Sequence, residues 1–375
     1  MPGLLPQVDP DGLLEYSVVY TDRALNHMSQ SFQGVMRDIS KTLKSVYGAH
    51  SAIVIPGSGT FGMEAVARQF ATGKRVLVIR NGWFSYRWSQ IFETGHIPAQ
   101  ERVLKARPIE SGNQPFFAPP PVEEVIAAVK EFKPEVVFAA HVETASGIML
   151  PNDYIRQVAD AVHAEGGLFV LDCIASGTIW VNMQDVHVDV LISAPQKGWT
   201  SSACCGLVML GEAARKHIET TQSTSFACDL RKWLGIMEAY EKGGHAYYTT
   251  LPTDSLTVLR NVMAETHTYG YERVKAEQQQ LGDAVRKLLR ERGFKSVAAP
   301  GFEAPGVVVS YTTDDGIQST RKFAEAGLQA AAGVPLACDE PEGFKTFRLG
   351  LFGLDKLNHV ERTVQTLAQA LDRMQ

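Results

Sequence analysis

The order of apolar and polar residues divides the chain into two parts. Between about residues 50 and 210, short and almost uninterrupted apolar runs alternate with segments of helical spacing. Such runs are typical of strands in a parallel sheet that helices cover on both faces. They occur at residues 75–79, 135–140, 168–171, 188–192 and 206–210. The pattern therefore predicts an α/β fold built on a mainly parallel sheet.

Helices in this part are predicted where apolar residues recur every three or four positions. In residues 32–47 this spacing places Phe32, Met36 and Leu43 on one face. Residues 122–132 and 154–165 show the same period. Because these segments lie before or between the apolar runs, they are expected to cover the sheet.

The pattern changes after Pro252. One long helix is predicted over residues 254–292. Further strands are predicted at 306–311 and 346–350, and further helices at 317–327 and 356–374. The chain is therefore interpreted as an N-terminal arm over residues 1–30, a large α/β domain over 31–253, and a small C-terminal α+β domain over 254–375 with the arm packed near it.

Composition and charge argue against several classes of protein. The chain has 375 residues, of which 45% are apolar, and its net charge of −5 is spread without long blocks of one sign. This distribution argues against nucleic-acid and membrane-surface partners, and no apolar stretch is long enough to cross a bilayer. The N-terminus lacks the pattern of a secretory signal, so a cytoplasmic location is expected. Five scattered cysteines predict neither a disulfide framework nor a zinc site, and no metal is expected.

A glycine-rich turn at residues 56–60 leads into a helical pattern. A turn of this kind presents free backbone amides and the positive end of a helix dipole to an anion. Ser58 and Thr60 would add two hydroxyl donors beside Gly59. The motif predicts a phosphate-binding loop, with an ordinary helix cap as the alternative.

Two ionisable residues follow strands farther along the chain. Asp172 closes the apolar run at 168–171, and Lys197 follows the run at 188–192. A carboxylate at a strand end can keep a pyridine nitrogen protonated, and a buried lysine amine can form a Schiff base with an aldehyde. A phosphate loop, an aspartate and a lysine in this order predict a site for pyridoxal 5'-phosphate (PLP). For each residue alone, a turn-capping aspartate or an ordinary lysine is the alternative.

Five further positions are candidates for the same site. Phe84 follows a strand and can either stack on a planar ring or fill the core. Thr144 can donate a hydrogen bond to the cofactor, whereas His141 and Glu143 are either supports of the site or satisfied strand-end groups. Arg348 lies in an apolar late strand, where a guanidinium needs a partner. A substrate α-carboxylate would be that partner, and a structural salt bridge is the alternative.

Six motifs together resemble the class V aminotransferases of PLP fold type I, most closely the alanine–glyoxylate and serine–pyruvate aminotransferase branch. They lie at residues 57–60, 141–147, 172–176, 193–197, 247–252 and 348–350. The resemblance extends over about residues 30–375. It implies a large domain with a mainly parallel seven-stranded sheet between helices, and a smaller C-terminal α+β domain.

The resemblance also implies which residues bind PLP. The phosphate would be held by Ser58, Gly59, Thr60 and Gln196. Around the ring, the implied contacts are stacking by Phe84, Thr144 at the ring hydroxyl, Asp172 at the pyridine nitrogen and Ile174 below the ring. Lys197 would carry the Schiff base and would be the catalytic residue.

The resemblance implies a homodimer whose two chains share their active sites. Tyr247 and Thr250 correspond to residues that relatives extend to the phosphate bound by the neighbouring subunit. Two segments depart from the family. Residues 14–23 stand where relatives carry a Gly-Pro-containing segment that lines the substrate site. Residues 201–206, with Cys204 and Cys205, stand where relatives carry Pro-Pro-Gly.

The function expected from these residues is transfer of an amino group. The donor would be a small amino acid of the alanine or serine type, and the acceptor a 2-oxo acid such as glyoxylate or pyruvate. One alternative is a PLP lyase, because Cys338 lies on a late loop where desulfurases carry a nucleophilic cysteine. A 2-aminoethylphosphonate transaminase and a PLP-fold protein without enzymatic activity are the others.

Overall fold

The computed structural model describes residues 8, 9 and 11–374. Its helices are α1 (Gln30–Tyr47), α2 (Gly59–Phe70), α3 (Trp83–Gly95), α4 (Val122–Phe132), α5 (Asn152–Ala164), α6 (Glu212–His217), α7 (Leu230–Glu241), α8 (Thr253–Tyr269), α9 (Tyr271–Glu291), α10 (Asp315–Gln318), α11 (Arg321–Glu325), α12 (Leu354–Asn358) and α13 (Val360–Arg373). A 3-10 turn at Ile218–Thr220 follows α6.

The strands are short, and most of them are buried. They are β1 (Ser51–Pro56), β2 (Arg75–Arg80), β3 (Gln100–Lys105), β4 (Arg107–Pro108), β5 (Phe117–Ala118), β6 (Val136–Ala140), β7 (Val142–Glu143), β8 (Ile148–Met149), β9 (Leu168–Asp172), β10 (Val190–Ser193), β11 (Cys205–Leu210), β12 (Val307–Tyr311), β13 (Ala331–Ala332) and β14 (Thr346–Gly350).

The main sheet has seven strands in the order β1-β11-β10-β9-β6-β2-β3. From β10 to β3 every neighbouring pair is parallel, whereas β11 runs antiparallel to both β10 and β1. Two reversals restore the direction, so β1 runs the same way as β10. The mainly parallel seven-stranded sheet expected from the sequence is confirmed, and the carboxyl ends of six strands lie at one edge.

The apolar runs form these strands because both faces of the sheet are covered. Val76–Ile79 of β2 and Val190–Ile192 of β10 are fully buried, and α1, α2, α5 and α7 contribute side chains to the same hydrophobic cluster. A second cluster combines α9, β12, β14 and α13. A further hydrophobic cluster lies between the first two, and it includes Val142 of β7 and Val309 of β12. The division at residues 30 and 253 stays a prediction.

The long helix predicted over residues 254–292 is wrong as a single element. Gly270, with φ of +104°, separates α8 from α9, because a right-handed helix cannot continue through that conformation. The predicted helix at 317–327 is likewise divided at Thr320, and the one at 356–374 at His359. Sequence periodicity did not detect these breaks because the apolar stripe continues across them.

The N-terminal arm contacts the chain around residues 240–254. The Tyr20 hydroxyl donates to the carbonyl oxygen of Leu251 at 3.0 Å, and the backbone amide of Leu25 donates to a carboxylate oxygen of Asp254 at 3.3 Å. The Tyr240 hydroxyl donates to the carbonyl oxygen of His27 at 3.0 Å. These bonds hold the end of the arm beside the end of α7 and the start of α8.

We expect Gly270→Ala to lower the free energy of unfolding by on the order of 1–3 kcal/mol. The reason is backbone strain at positive φ, since an added Cβ would meet nothing closer than 3.7 Å. Gly235, an exposed residue inside α7, is the matched control. Gly235→Ala should raise stability by about 0.5–1 kcal/mol, because it adds helix propensity without strain. Urea unfolding of both variants checks the signs, and equal effects would contradict the assignment of strain to Gly270.

Candidate active site

The carboxyl edge of the main sheet gathers residues that are far apart in sequence. The turn after β1 leads into α2, and the turn after β2 leads into α3. Asp172 is the last residue of β9 and lies opposite Ile192 of β10, and Lys197 follows in the next turn. Because these strands are parallel, their following turns meet at the same edge.

The turn at residues 57–60 has the form of an anion-binding loop. Gly57 has φ of +126°, and its amide donates to the carbonyl oxygen of Cys204 at 3.0 Å. Ser58 is the N-cap of α2, but its side chain caps no helical amide. The first amides of α2 have no acceptor within the helix. A Cβ added to Gly59 would lie 2.5 Å from Cδ1 of Ile174, so glycine is needed there for close packing.

Asp172 has a buried carboxyl group that accepts a hydrogen bond from one backbone amide. Its Oδ1 accepts the backbone amide of Ile174 at 2.8 Å. Burial raises the pKa of Asp172 to about 6, although the nearby Lys197 amine and the Ile174 amide act in the opposite direction. A carboxylate held this way is stabilised by a cationic partner, such as a protonated ring nitrogen.

Lys197 is half-buried, and in the part of the chain that the structure describes its amine forms no hydrogen bond or ion pair. Burial lowers the pKa of Lys197, Asp172 raises it, and the guanidinium groups of Arg87 and Arg348 lower it further. The lowered pKa increases the fraction of Lys197 that is present as the uncharged, nucleophilic amine.

The turn that carries Lys197 is fixed by its neighbours. Trp199 is fully buried and packs on Trp180 with the ring centroids 4.6 Å apart. A Cβ on Gly198 would overlap the carbonyl oxygen of Gly177, so the chain approaches the turn after β9 at backbone contact. Lys197 therefore has a defined position relative to Asp172.

Glu143 determines how α3 begins and where Phe84 lies. Its fully buried carboxylate accepts the backbone amides of Phe84 at 3.2 Å, Ser85 at 2.8 Å and Ala145 at 2.9 Å. The Ser85 hydroxyl donates to it as well, at 2.7 Å. These bonds replace the N-cap that Gly82 cannot supply through a side chain. Glu143 is thus a support of the site rather than a ligand-facing group.

Two guanidinium groups lie against the Phe84 ring. Arg87 is 5.2 Å and Arg348 is 5.4 Å from the ring centroid. Arg348 is half-buried, its Nε donates to the carbonyl oxygen of Ala332 at 2.8 Å, and burial lowers its pKa. Across residues 8, 9 and 11–374 it forms no ion pair, so the structural salt bridge considered as an alternative is not found.

The remaining candidates lie in different surroundings. Thr144 is buried beside Glu143, whereas Gln196 is exposed next to Lys197. Tyr247 is 54% exposed, and its hydroxyl lies 3.3 Å from Oγ1 of Thr250. An exposed tyrosine and threonine at this position are available to a second chain. Their cofactor roles stay predictions.

Cys338 lacks the properties of a nucleophile. It is only 3% exposed, its thiol donates to the carbonyl oxygen of Arg80 at 3.4 Å, and burial raises its pKa to about 12. Since the thiolate is the reactive form, this environment argues against the desulfurase alternative.

Sequence reasoning missed Arg87. Its Nη1 donates to Oγ1 of Thr60 at 3.1 Å, which connects α3 to the turn after β1. The signal available in the sequence was its position three residues after Phe84, which places both side chains on one face of a helix.

The residues present fit PLP. The amides and hydroxyls at the start of α2 suit a phosphate, Asp172 suits a protonated pyridine nitrogen, and the Lys197 amine suits the aldehyde. The fold and the site therefore define a PLP-type transferase of the α/β class.

The profile of the family described as "Aminotransferase class-V" matches residues 11–322. The chain belongs to this family, as the sequence motifs indicated, and it is an aminotransferase.

Known relatives agree with this assignment. The serine–glyoxylate aminotransferase of Methylorubrum extorquens is 25% identical over 358 residues, which cover 94% of this chain and 85% of the relative. The alanine–glyoxylate aminotransferase of Rattus norvegicus is 24% identical, with 93% and 82% covered. The crystal structure of alanine–glyoxylate aminotransferase from Nostoc sp. superposes on this chain with a TM-score of 0.76 and 20% sequence identity. The match covers 92% of this chain and 88% of the Nostoc chain, so the two proteins share the same fold. Among the described residues, none of the helices has the length and apolarity of a membrane span.

The burial of His141 should make the free energy of unfolding depend on pH. His141 is fully buried with Nδ1 2.7 Å from Oγ of Ser176, and burial lowers its pKa to about 4. Below pH 6.5 the unfolded chain binds a proton that the folded chain does not, so stability is lost as pH falls. Between pH 8 and pH 5 this group should remove about 2 kcal/mol from the free energy of unfolding.

The measurement is urea unfolding of wild type, His141→Gln and His163→Gln at both pH values. His141→Gln should flatten the decline toward pH 5. His163 has the opposite sign, because its hydrogen bond to Asp189 raises its pKa, so its stabilisation is present at low pH and lost as pH rises. His163→Gln should therefore be more destabilising at pH 5 than at pH 8. Parallel pH curves for all three proteins would refute the assignment.

Proposed function

We propose that the protein is a PLP-dependent aminotransferase that moves the amino group of a small amino acid, of the alanine or serine type, to a 2-oxo acid such as glyoxylate or pyruvate. The observation that carries the proposal is the Lys197 amine, which has no partner among the described residues and lies beside the buried Asp172 carboxyl group. The names of the relatives support glyoxylate as an acceptor and serine or alanine as donors.

The residues proposed to hold PLP surround this pair. Ser58, Gly59, Thr60 and Gln196 would bind the phosphate, and Phe84, Thr144 and Ile174 would contact the ring. Asp172 would keep the ring nitrogen protonated, since its carboxylate is buried and forms no ion pair within the part of the chain that the structure describes. When bound, PLP supplies an electron sink that makes the substrate Cα–H bond acidic.

Lys197 is proposed to move the proton. Its Nζ has a lowered pKa, so a larger fraction of it is free base near neutral pH and can accept the proton from the substrate Cα. The ammonium group formed in this way would hold the proton for the second transfer, so Lys197 would serve first as a base and then as an acid. Trp199 and Gly198 hold the turn in place, so the amine need not be repositioned between the two transfers.

Arg348 is proposed to bind the substrate α-carboxylate. The guanidinium is desolvated and lacks a carboxylate partner among the described residues, so an incoming carboxylate would compensate its charge. It also contacts Phe84, which places the carboxylate subsite next to the proposed ring platform.

A homodimer with shared sites completes the proposal. Tyr247 and Thr250 are exposed and hydrogen-bonded to each other, as expected of residues offered to a neighbouring subunit. Their exposure in the single chain supports their proposed contact with the phosphate bound by a second copy.

A donor and acceptor panel tests the function. We expect L-alanine or L-serine to convert the absorbance of the holoenzyme from the PLP form to the pyridoxamine phosphate form, and glyoxylate or pyruvate to reverse the change. L-Serine should yield hydroxypyruvate. Release of pyruvate and ammonium from L-serine without an acceptor would instead identify an eliminating lyase, and an unchanged spectrum with every donor would contradict the proposal.

Arg348→Gln provides the matched variant for the same panel. The kcat/KM for L-alanine should fall about 100-fold, equivalent to roughly 3 kcal/mol, because a charge-assisted bond to the carboxylate is lost. Arg362→Gln, which removes a surface guanidinium paired with Asp355, is the control and should leave kcat/KM unchanged.

A further inference from the structure

Arg87 connects the proposed phosphate loop to the proposed ring platform. It lies in the second turn of α3, on the same face as Phe84, with its guanidinium carbon 5.2 Å from the ring centroid. Its Nη1 donates to Oγ1 of Thr60 in the first turn of α2 at 3.1 Å. One side chain thus contacts the two structures that would hold opposite ends of the cofactor.

The direction of this hydrogen bond determines what Thr60 can do. A guanidinium carries donors and no acceptor, so the Thr60 oxygen must accept. The hydroxyl proton of Thr60 is then free to point away from Arg87, toward another acceptor. An acceptor at the start of α2 would also meet the free amides of that helix end.

Among the residues that the structure describes, no acidic side chain compensates the charge of Arg87. Within residues 8, 9 and 11–374 no carboxylate lies within ion-pair distance of it, although the side chain is half-buried. By contrast Arg68, farther along α2, is paired with Glu64 at 2.7 Å. A half-buried guanidinium without a carboxylate is stabilised when an anion binds beside it.

The phosphate loop itself carries no cation. Residues 57–60 supply backbone amides and the hydroxyls of Ser58 and Thr60, all of them uncharged. A phosphate monoester carries about −1.5 to −2 charges near neutral pH. Amides and a helix dipole offset part of this charge, and a guanidinium matches the remainder in both charge and geometry.

We propose that Arg87 is a cofactor-binding residue that pairs with the phosphate of PLP and orients the Thr60 hydroxyl toward it. This rests on the proposed function, in which PLP occupies the site. Arg87 also lowers the pKa of both Asp172 and Lys197. A phosphate paired with Arg87 would neutralise its charge, so Arg87 would lower these two pKa values only while no cofactor is bound.

The test compares PLP with pyridoxal, which has the same ring and aldehyde but no phosphate. Dissociation constants of both compounds are measured on apoprotein by quenching of tryptophan fluorescence, for wild type, Arg87→Lys and Arg87→Met. For Arg87→Met we expect PLP to bind about 10–100-fold more weakly and pyridoxal to stay within about twofold of wild type. Arg87→Lys should be intermediate, because it keeps the charge but loses the planar donor geometry.

Two controls separate this role from a structural one. Arg68→Met removes a paired guanidinium from α2 and should change neither constant. Combining Arg87→Met with Thr60→Val should weaken PLP binding by less than the product of the single effects, because both act on one phosphate.

Equal weakening of PLP and pyridoxal in Arg87→Met would overturn the inference, since it would assign Arg87 to the ring platform or to folding. Unchanged PLP binding would overturn it as well. Failure of wild type to bind PLP would refute the proposed function itself, and the two failures are thereby distinguished.

Discussion

The parallel pairing of β9 with β10 is the constraint on which the site depends. It sets Asp172 opposite Ile192, so that the next turn of each strand leaves the sheet at the same edge. Gly198 and Trp199 then fix the turn that carries Lys197. The sheet, and not an ion pair between them, thus holds the Asp172 carboxyl group close to the Lys197 amine, which has no partner in residues 8, 9 and 11–374. Each keeps its capacity to interact with a ligand, which a short salt bridge between them would consume.

Three further charged residues, Glu143, Arg87 and Arg348, surround Asp172 and Lys197. Glu143 is fully buried, and its carboxylate oxygens accept hydrogen bonds from backbone amides and the Ser85 hydroxyl, which positions Phe84. Arg87 and Arg348 both contact the Phe84 ring and both lower the pKa of Lys197. Among the described residues, neither guanidinium forms an ion pair with a carboxylate. The edge of the sheet is therefore prepared for an anionic ligand, although the whole chain has a net charge of −5.

Much of this was predictable from sequence. The apolar runs located the central strands because strands buried on both faces lack alternation, and strand ends placed Asp172 and Lys197 at one edge. The strand Gln100–Lys105 was not predicted, since an edge strand with polar residues is held by pairing with β2 and not by its own pattern. The contact between Arg87 and Thr60 was also missed, because it depends on how two helices pack. The break at Gly270 had a signal in the glycine itself, which the continuous apolar stripe obscured.

The position of the covalent link between protein and cofactor tests the central claim most directly. Holoenzyme reduced with borohydride and digested for peptide mapping should carry one pyridoxyl group, on the peptide that contains Lys197. Lys197→Ala should carry none after the same treatment, with its fold intact by circular dichroism. A pyridoxyl group on another lysine, or no label on wild type that binds PLP, would contradict the account.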